Sequence, residues 1–470
     1  MRQARTMGPA TVTACPNGET AGPGPVPVAS ARPTAPVVTT GVVAALVVLA
    51  VMIAPQPQTD FAVYRLGGQA VWDGSALYQV RTAAGLPFTY PPIAAVLFTP
   101  FAAIPLGVAE VVWAALTVAA LILLLSRLRA WLIPPTDTAR AAGVGRALGS
   151  RWAPPLLLVA ALATEPVRST IIFGQVNILL MLAVWLDAGP GRRSTPFARL
   201  PPGALTGLAA AVKLTPLIFV AYLWLAGRRR VAIAAAGTFL AAHAVAFALA
   251  PAASRAYWGG VFADPGRIGS VTYAGNQSLS GAMTRIWGDG ASVVQIHRLV
   301  VAAVAVAGLV LAVRLHRRGE PVAGLLACAV TGLLVSPISW SHHWVWAVPT
   351  LLWLATHATH ATHATHATHA THGTDGTDGT DGTDGRASRR YVGAALAGYV
   401  LFVASPVWWI TPHDQNWPHR RDPTILLTNA YVIAGVVLLV TLARVAGRRD
   451  LYRPSRRMRH PDLVRRGVRG

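Results

Sequence analysis

The chain runs to 470 residues, 53% hydrophobic and only 12% charged, where an ordinary soluble domain is roughly a quarter charged. That balance excludes a disordered chain, and two cysteines, Cys15 and Cys328, exclude a disulfide framework. A formal net charge of +22 invites nucleic acid as a partner, but repeated apolar runs of membrane-spanning length point away from it, to an all-α polytopic membrane protein.

Residues 1–36, rich in Pro, Gly, Thr and Ala, read as a flexible cytoplasmic leader. The first apolar run, 37–54, is long enough to span and ends at Pro55-Gln56-Pro57 without a small-x-small cleavage site, so it reads as a retained helix. Further spans are expected near 107–126, 153–165, 175–187, 203–213, 215–226, 231–250, 297–313, 322–336, 344–355, 391–411 and 425–445, giving twelve, within a bundle of about 10–13 helices. Residues 91–105, interrupted by Pro100 and Pro105, read as a re-entrant or interfacial piece. Several spans fall short of the ~20 residues that an isolated crossing needs, notably the pair flanking Lys213. Short, interrupted segments at membrane depth belong where they line a cavity.

Residues 37–355 thus form a transmembrane core, followed by a low-complexity cytoplasmic loop at 356–390, two last helices at 391–445 and an Arg-rich tail at 446–470. Six Ala-Thr-His repeats (355–372) and four Gly-Thr-Asp repeats (373–384) read as a solvated tandem expansion; nothing in them fixes the geometry that a metal site requires. Arginine placement orients the bundle with both ends inside, because cytoplasmic segments carry most of the 39 arginines. Ten of them, from Arg444 onward, face anionic inner-leaflet lipid. The outer face is nearly charge-balanced, and its few ionisable groups are where chemistry is expected.

Asp60 is the first of these, five residues beyond the opening helix in a segment expected at the membrane surface, where it serves either as a base or as a helix-end cap or solvated carboxylate. Tyr78 and Tyr90 follow, in Gly-Ser-Ala-Leu-Tyr (74–78) and Phe-Thr-Tyr-Pro-Pro (88–92), where aromatics interleaved with Gly and Pro suit both a sugar-stacking cavity and an interfacial belt. Lys213, the lone lysine, sits between two short apolar segments, where it either meets a lipid phosphate or snorkels to the interface. His342 and His343 occupy a short outer turn suited to phosphate binding, proton transfer or metal ligation, with at most one ring facing a cavity. Gln175 and Asn177, and Asn276 and Gln277, supply outer-face amides suited to hydroxyl recognition. Neither a nucleotide-phosphate loop nor a dinucleotide fingerprint, HExxH or nucleophile elbow is present, so a glycosyl transfer on this face needs a lipid-linked donor.

In order along the chain, Asp60, Gly-Ser-Ala-Leu-Tyr (74–78), Phe-Thr-Tyr-Pro-Pro (88–92), Gly-Gln-Val-Asn (174–177), Val-Lys-Leu-Thr-Pro (212–216), Asn-Gln-Ser (276–278) and Ser-Pro-Ile-Ser-Trp-Ser-His-His (336–343) resemble glycosyltransferase family 87, the polyprenol-phosphate-mannose-dependent α-(1→2)-mannosyltransferases of actinobacteria. The resemblance implies a GT-C-type membrane bundle in the cell membrane with an extracytoplasmic active site. It implies a polyprenyl-phosphate-mannose donor and lipid-anchored mannoside acceptors such as phosphatidylinositol mannosides, lipomannan and lipoarabinomannan. It places the family's catalytic aspartate on Asp60, its basic lysine on Lys213 and its late histidine on His342 or His343. A β-linked donor giving an α product requires inversion in one displacement, with one carboxylate base and no covalent intermediate. Lys213 and a histidine then stabilise the departing phosphate in place of a metal, and no cofactor is expected. Competing readings are another polyprenyl-phosphate sugar on the same fold, a secondary transporter, which would show inverted repeats and mid-membrane charges, and a non-catalytic assembly scaffold.

Overall fold

A computed structural model describes residues 58–132, 144–189, 196–356, 381–409 and 423–449. The leader, the expected first span at 37–54, the His and Asp repeats from 357 to 380 and the tail beyond 449 lie outside the described residues. Among the described residues the chain is helical, and its only β pairing is two isolated antiparallel bridges, Arg81 with Pro87 and Asn276 with Trp340.

Among the described residues, four helices are long and apolar enough to cross a membrane by themselves: Leu106–Leu132, Arg229–Leu249, Ala291–Arg317 and Arg390–Trp408. A 27-residue helix rises ~40 Å, more than the ~30 Å of a hydrocarbon core. Their apolar residues are not all inside the protein. Only 17% of the apolar stretch of Ala291–Arg317 and 22% of that of Arg229–Leu249 is buried, which in water would be prohibitive and in lipid is the expected state. The structure is that of an all-α polytopic membrane protein.

A further apolar pair of helices is bent. Ala153–Ala163 and Glu165–Ile172 meet at 79° across Thr164, whose backbone is extended. Pro166 has no N–H to continue the hydrogen-bond ladder, and the Arg168 side chain donates to the Ala163 carbonyl at the end of the first helix at 3.0 Å. The bend carries Glu165 into the core.

The twelve expected crossings therefore divide into two kinds. Those near 175–187, 203–213, 215–226 and 322–336 are helices of only 9 to 15 residues: Asn177–Ala188, Ala204–Val212, Leu217–Leu225 and Pro321–Val335. They are short because they pack against protein, where backbone ends find partners that lipid lacks. The 91–105 piece is a helix, Pro92–Ala102, that keeps Pro100 inside it. It lies against Thr59–Trp72 so closely that a Cβ on Gly68 would stand 2.5 Å from the carbonyl oxygen of Phe98. The ends of these short helices, together with the start of Thr59–Trp72 and the segments 173–176 and 336–343, converge on one region.

Candidate active site

The sequence suggests a surface loop for Asp60; the structure places it in the first turn of the Thr59–Trp72 helix. The helix has no side-chain cap. Its free N–H groups at Asp60 and Phe61 both donate to the carbonyl of Phe173, at 2.9 and 3.1 Å. That docking needs Gly174, whose φ of +70° suits glycine and whose added Cβ would lie 2.5 Å from Phe61 Cβ. Trp113 Nε1 pins the Gly174 carbonyl from the far side at 2.7 Å.

The turn thereby delivers Gln175. This buried amide accepts from the Tyr64 hydroxyl at 2.7 Å and donates to the Tyr90 hydroxyl at 3.0 Å, and it lies near enough to Asp60 to favour its charged form. Burial pushes the Asp60 carboxyl up to about 6, against the lowering pull of Gln175 and of the positive charge of Lys213.

Lys213 follows the last turn of Ala204–Val212 with an extended backbone, and Pro216 begins the next helix, so the break expected from Lys-Leu-Thr-Pro is present. Its Nζ donates to Asn177 Oδ1 at 3.1 Å, lies 3.0 Å from His343 Nε2 and stands 5.8 Å from the centre of the Tyr90 ring. An ammonium only donates, so His343 Nε2 accepts and the imidazole is neutral with its proton on Nδ1. This agrees with burial and the Lys213 charge holding His343 well below the usual histidine range. Burial also brings Lys213 down to about 8, with Asp60 opposing. All of these groups lie outside the long spanning helices.

The two histidines part company. His343 lines the cavities around Lys213, whereas His342 turns to meet Phe173 edge-on at 5.4 Å and lines neither. His342 contributes its carbonyl, which accepts from Thr170 Oγ1 at 2.8 Å and Asn177 Nδ2 at 3.0 Å. Asn177 thus bridges the histidine turn and the ammonium.

The larger of these cavities, about 350 Å³, is walled by Tyr90, Lys213, His343, Tyr257, Arg267 and Trp340, among others. Tyr78 is spent on structure: its hydroxyl donates to the Tyr90 carbonyl at 2.9 Å and its ring stacks on Tyr257 at 5.8 Å. Asn276 and Gln277, expected to meet sugar hydroxyls, are fully buried instead. Asn276 holds the carbonyls of Val271 and Pro337 and the N–H of Ser339, and Gln277 holds the carbonyls of Ala274 and Thr428 and the N–H of Tyr431. They brace the 336–343 turn from behind.

Three residues carry no signal in the sequence. Arg267 lines the same cavity as Lys213, giving Nη2 to the Tyr78 carbonyl at 2.7 Å while its buried Nε has no partner. Glu165 is a buried carboxylate that accepts from Ser169, Ser341, Trp408 and Tyr431. Arg285 is its cationic counterpart, buried on Asn429 and on the carbonyls of Tyr273 and Asn276. Neither Glu165 nor Arg285 reaches the cavity; each ties together the loops that form it.

The family model of glycosyltransferase family 87 matches residues 88–337, which contain most of these side chains. A polyprenol-phosphate-mannose-dependent α-(1-2)-phosphatidylinositol mannoside mannosyltransferase of Mycolicibacterium smegmatis is 39% identical over 313 residues, 62% of this chain and 68% of the relative. Its counterpart of the same description in Mycobacterium tuberculosis is 37% identical over 62% of this chain and 69% of the relative. A phosphatidylinositol pentamannoside mannosyltransferase from Mycobacterium tuberculosis is 37% identical over 57% of this chain and 58% of the relative. No solved structure matches the chain. Because the family's own pattern covers more than half of the sequence and runs through the cavity wall from Phe88 to Pro337, this chain belongs to glycosyltransferase family 87.

Proposed function

We propose that this chain transfers mannose from polyprenyl-phosphate-mannose to a lipid-anchored mannoside on the extracytoplasmic side of the cell membrane, forming an α-(1→2) bond with inversion. The observation that carries the reading is a buried ammonium, Lys213, that lines a cavity and lies near enough to the Asp60 carboxylate for the two to sense each other's charge. Lys213 is hydrogen-bonded to neutral Asn177 and His343, which leaves its charge for an incoming anion.

In this reaction the acceptor hydroxyl gives its proton to Asp60 as its oxygen attacks the anomeric carbon from the face opposite the phosphate. The bond from that carbon to the phosphate oxygen breaks, and the electron pair leaves on polyprenyl phosphate. Lys213 and Arg267, which both line the cavity, oppose the charge that develops there. Two fixed cations supply what a divalent ion supplies elsewhere, so a chelator is expected to leave the rate unchanged.

The test is transfer of labelled mannose from polyprenyl-phosphate-mannose to mannolipids by the purified protein, with the new linkage and its anomer read by NMR. No transfer to any mannolipid overturns the reading; transfer of a different sugar from the same lipid carrier corrects the substrate while preserving the mechanism.

A further inference from the structure

A second cavity, about 650 Å³, lies on the other side of the segment 264–272. Asp264, Arg267 and Ile268 face the Lys213 cavity, while Pro265, Ser270, Val271 and Thr272 face the second one, and Pro337 lines both. The mechanism above makes no use of this space.

Its walls are of two characters. Towards the outer end lie the hydroxyls of Ser270, Thr272, Ser280 and Thr284, with exposed Asp289 and Arg298. His297 is 6% exposed, yet its Nε2 has no hydrogen-bond partner, which is costly for a buried polar atom unless something supplies one. Further along, Val294, Val301, Ala302 and Val335 make the wall apolar. Several of these residues belong to Ala291–Arg317, the helix whose apolar surface is least covered by protein and so most open to lipid. One wall of the cavity is thus the helix with the least covered apolar surface, and Pro337 with the segment 264–272 forms the partition from the Lys213 cavity.

We propose that this second cavity is a binding site for the phosphodiester-linked polyol headgroup of the lipid-anchored acceptor, entered sideways from the membrane. Arg298 meets the phosphodiester, His297 and the serine and threonine hydroxyls meet the sugar hydroxyls, and the valine wall receives the start of the acyl region. The headgroup passes along Pro337, which lines both cavities, so that its terminal mannose enters the Lys213 cavity. This deepens the functional reading above and rests on it.

The experiment compares two acceptors, a phosphatidylinositol-anchored mannoside and a soluble alkyl mannoside lacking the phosphodiester, in wild type, Arg298→Ala, His297→Leu and His297→Asn. Removing a charge-assisted hydrogen bond is expected to raise KM for the anchored acceptor about tenfold in Arg298→Ala and His297→Leu. The donor KM should hold in both, and His297→Asn, which keeps a hydrogen-bonding group, should restore much of the loss. Retention of a labelled phosphatidylinositol mannoside, measured without donor, separates two kinds of failure. Retention that the variants weaken, with no transfer by wild type, overturns the mannosyltransferase reading while sparing the site. Retention and KM unchanged by both substitutions, or KM raised equally for the soluble mannoside, overturns the site.

Discussion

At the scale of single residues, the roles proposed for Asp60 and Lys213 set the expected pH behaviour. Asp60 acts as a base only when deprotonated, and its carboxyl is raised to about 6, so kcat/KM should fall as pH drops through that value. Lys213 acts only when protonated, and its ammonium is lowered to about 8, so kcat/KM should fall again as pH rises past it. A bell with limbs near 6 and 8 is the expected profile for wild type. Lys213→Arg should lose the alkaline limb, because a guanidinium stays protonated throughout, at a reduced absolute rate. Asp60→Asn should remain inserted and lower kcat by about 10²–10⁴; near-normal turnover removes Asp60 from the role. Lys213 was legible in the sequence because an ammonium between two short apolar segments must either meet an anion or reach the interface. Arg267 was not, since a loop arginine that lines a cavity and one that is merely solvated look the same in one dimension. Asn276 and Gln277 misled for the opposite reason: an amide in an outer loop looks available, but the carbonyls and N–H groups it holds come from as far away as Thr428 and Tyr431.

At the scale of elements, the site depends on how helix starts and bends are finished. The Thr59–Trp72 helix borrows the Phe173 carbonyl in place of a cap, so Gly174→Ala should disturb Asp60 without touching it. A left-handed backbone and a clash with Phe61 are expected to cost about 1–3 kcal/mol, read as a lower melting temperature together with a loss of kcat. The bend at Thr164 is the second case. Glu165→Ala strands the hydroxyl of Ser341, at about 1–3 kcal/mol for a buried donor left unpaired, and leaves the Tyr431 hydroxyl with Ser405 alone. Because Ser341 begins the turn that carries His343, the loss should reach Lys213 as well. Motif order predicted the break at Lys213–Pro216, whose proline is local. It gave no warning of Glu165, whose partners at 341, 408 and 431 become neighbours only in the fold.

For the whole molecule, the helical, membrane-embedded architecture followed from apolar run lengths, but the division into long and short helices did not. Hydropathy reports that a segment avoids water, not whether lipid or protein replaces it. Orientation is open to direct measurement. An exposed outer-loop cysteine, Ser75→Cys, should be labelled by an impermeant thiol reagent in intact cells, whereas Arg230→Cys should be labelled only after permeabilisation. The reverse pattern turns the bundle over and puts the cavity on the cytoplasmic side.

The pairing of Lys213 with neutral partners also bears on how a catalytic cycle ends. A sugar phosphodiester brings one negative charge to the cavity, but the monoester left behind carries up to two at neutral pH, its second proton leaving near pH ~6. In the proposed mechanism Lys213 and Arg267 are therefore expected to hold the spent carrier more tightly than the fresh one, since the hydrogen bonds of Lys213 go to Asn177 and His343 and not to a carboxylate. Chemistry is then followed by a slow exit. Rapid mixing should show a burst of mannoside equal to the enzyme present before the steady rate begins, and added polyprenyl phosphate should compete with the donor, more strongly above pH ~6 than below it.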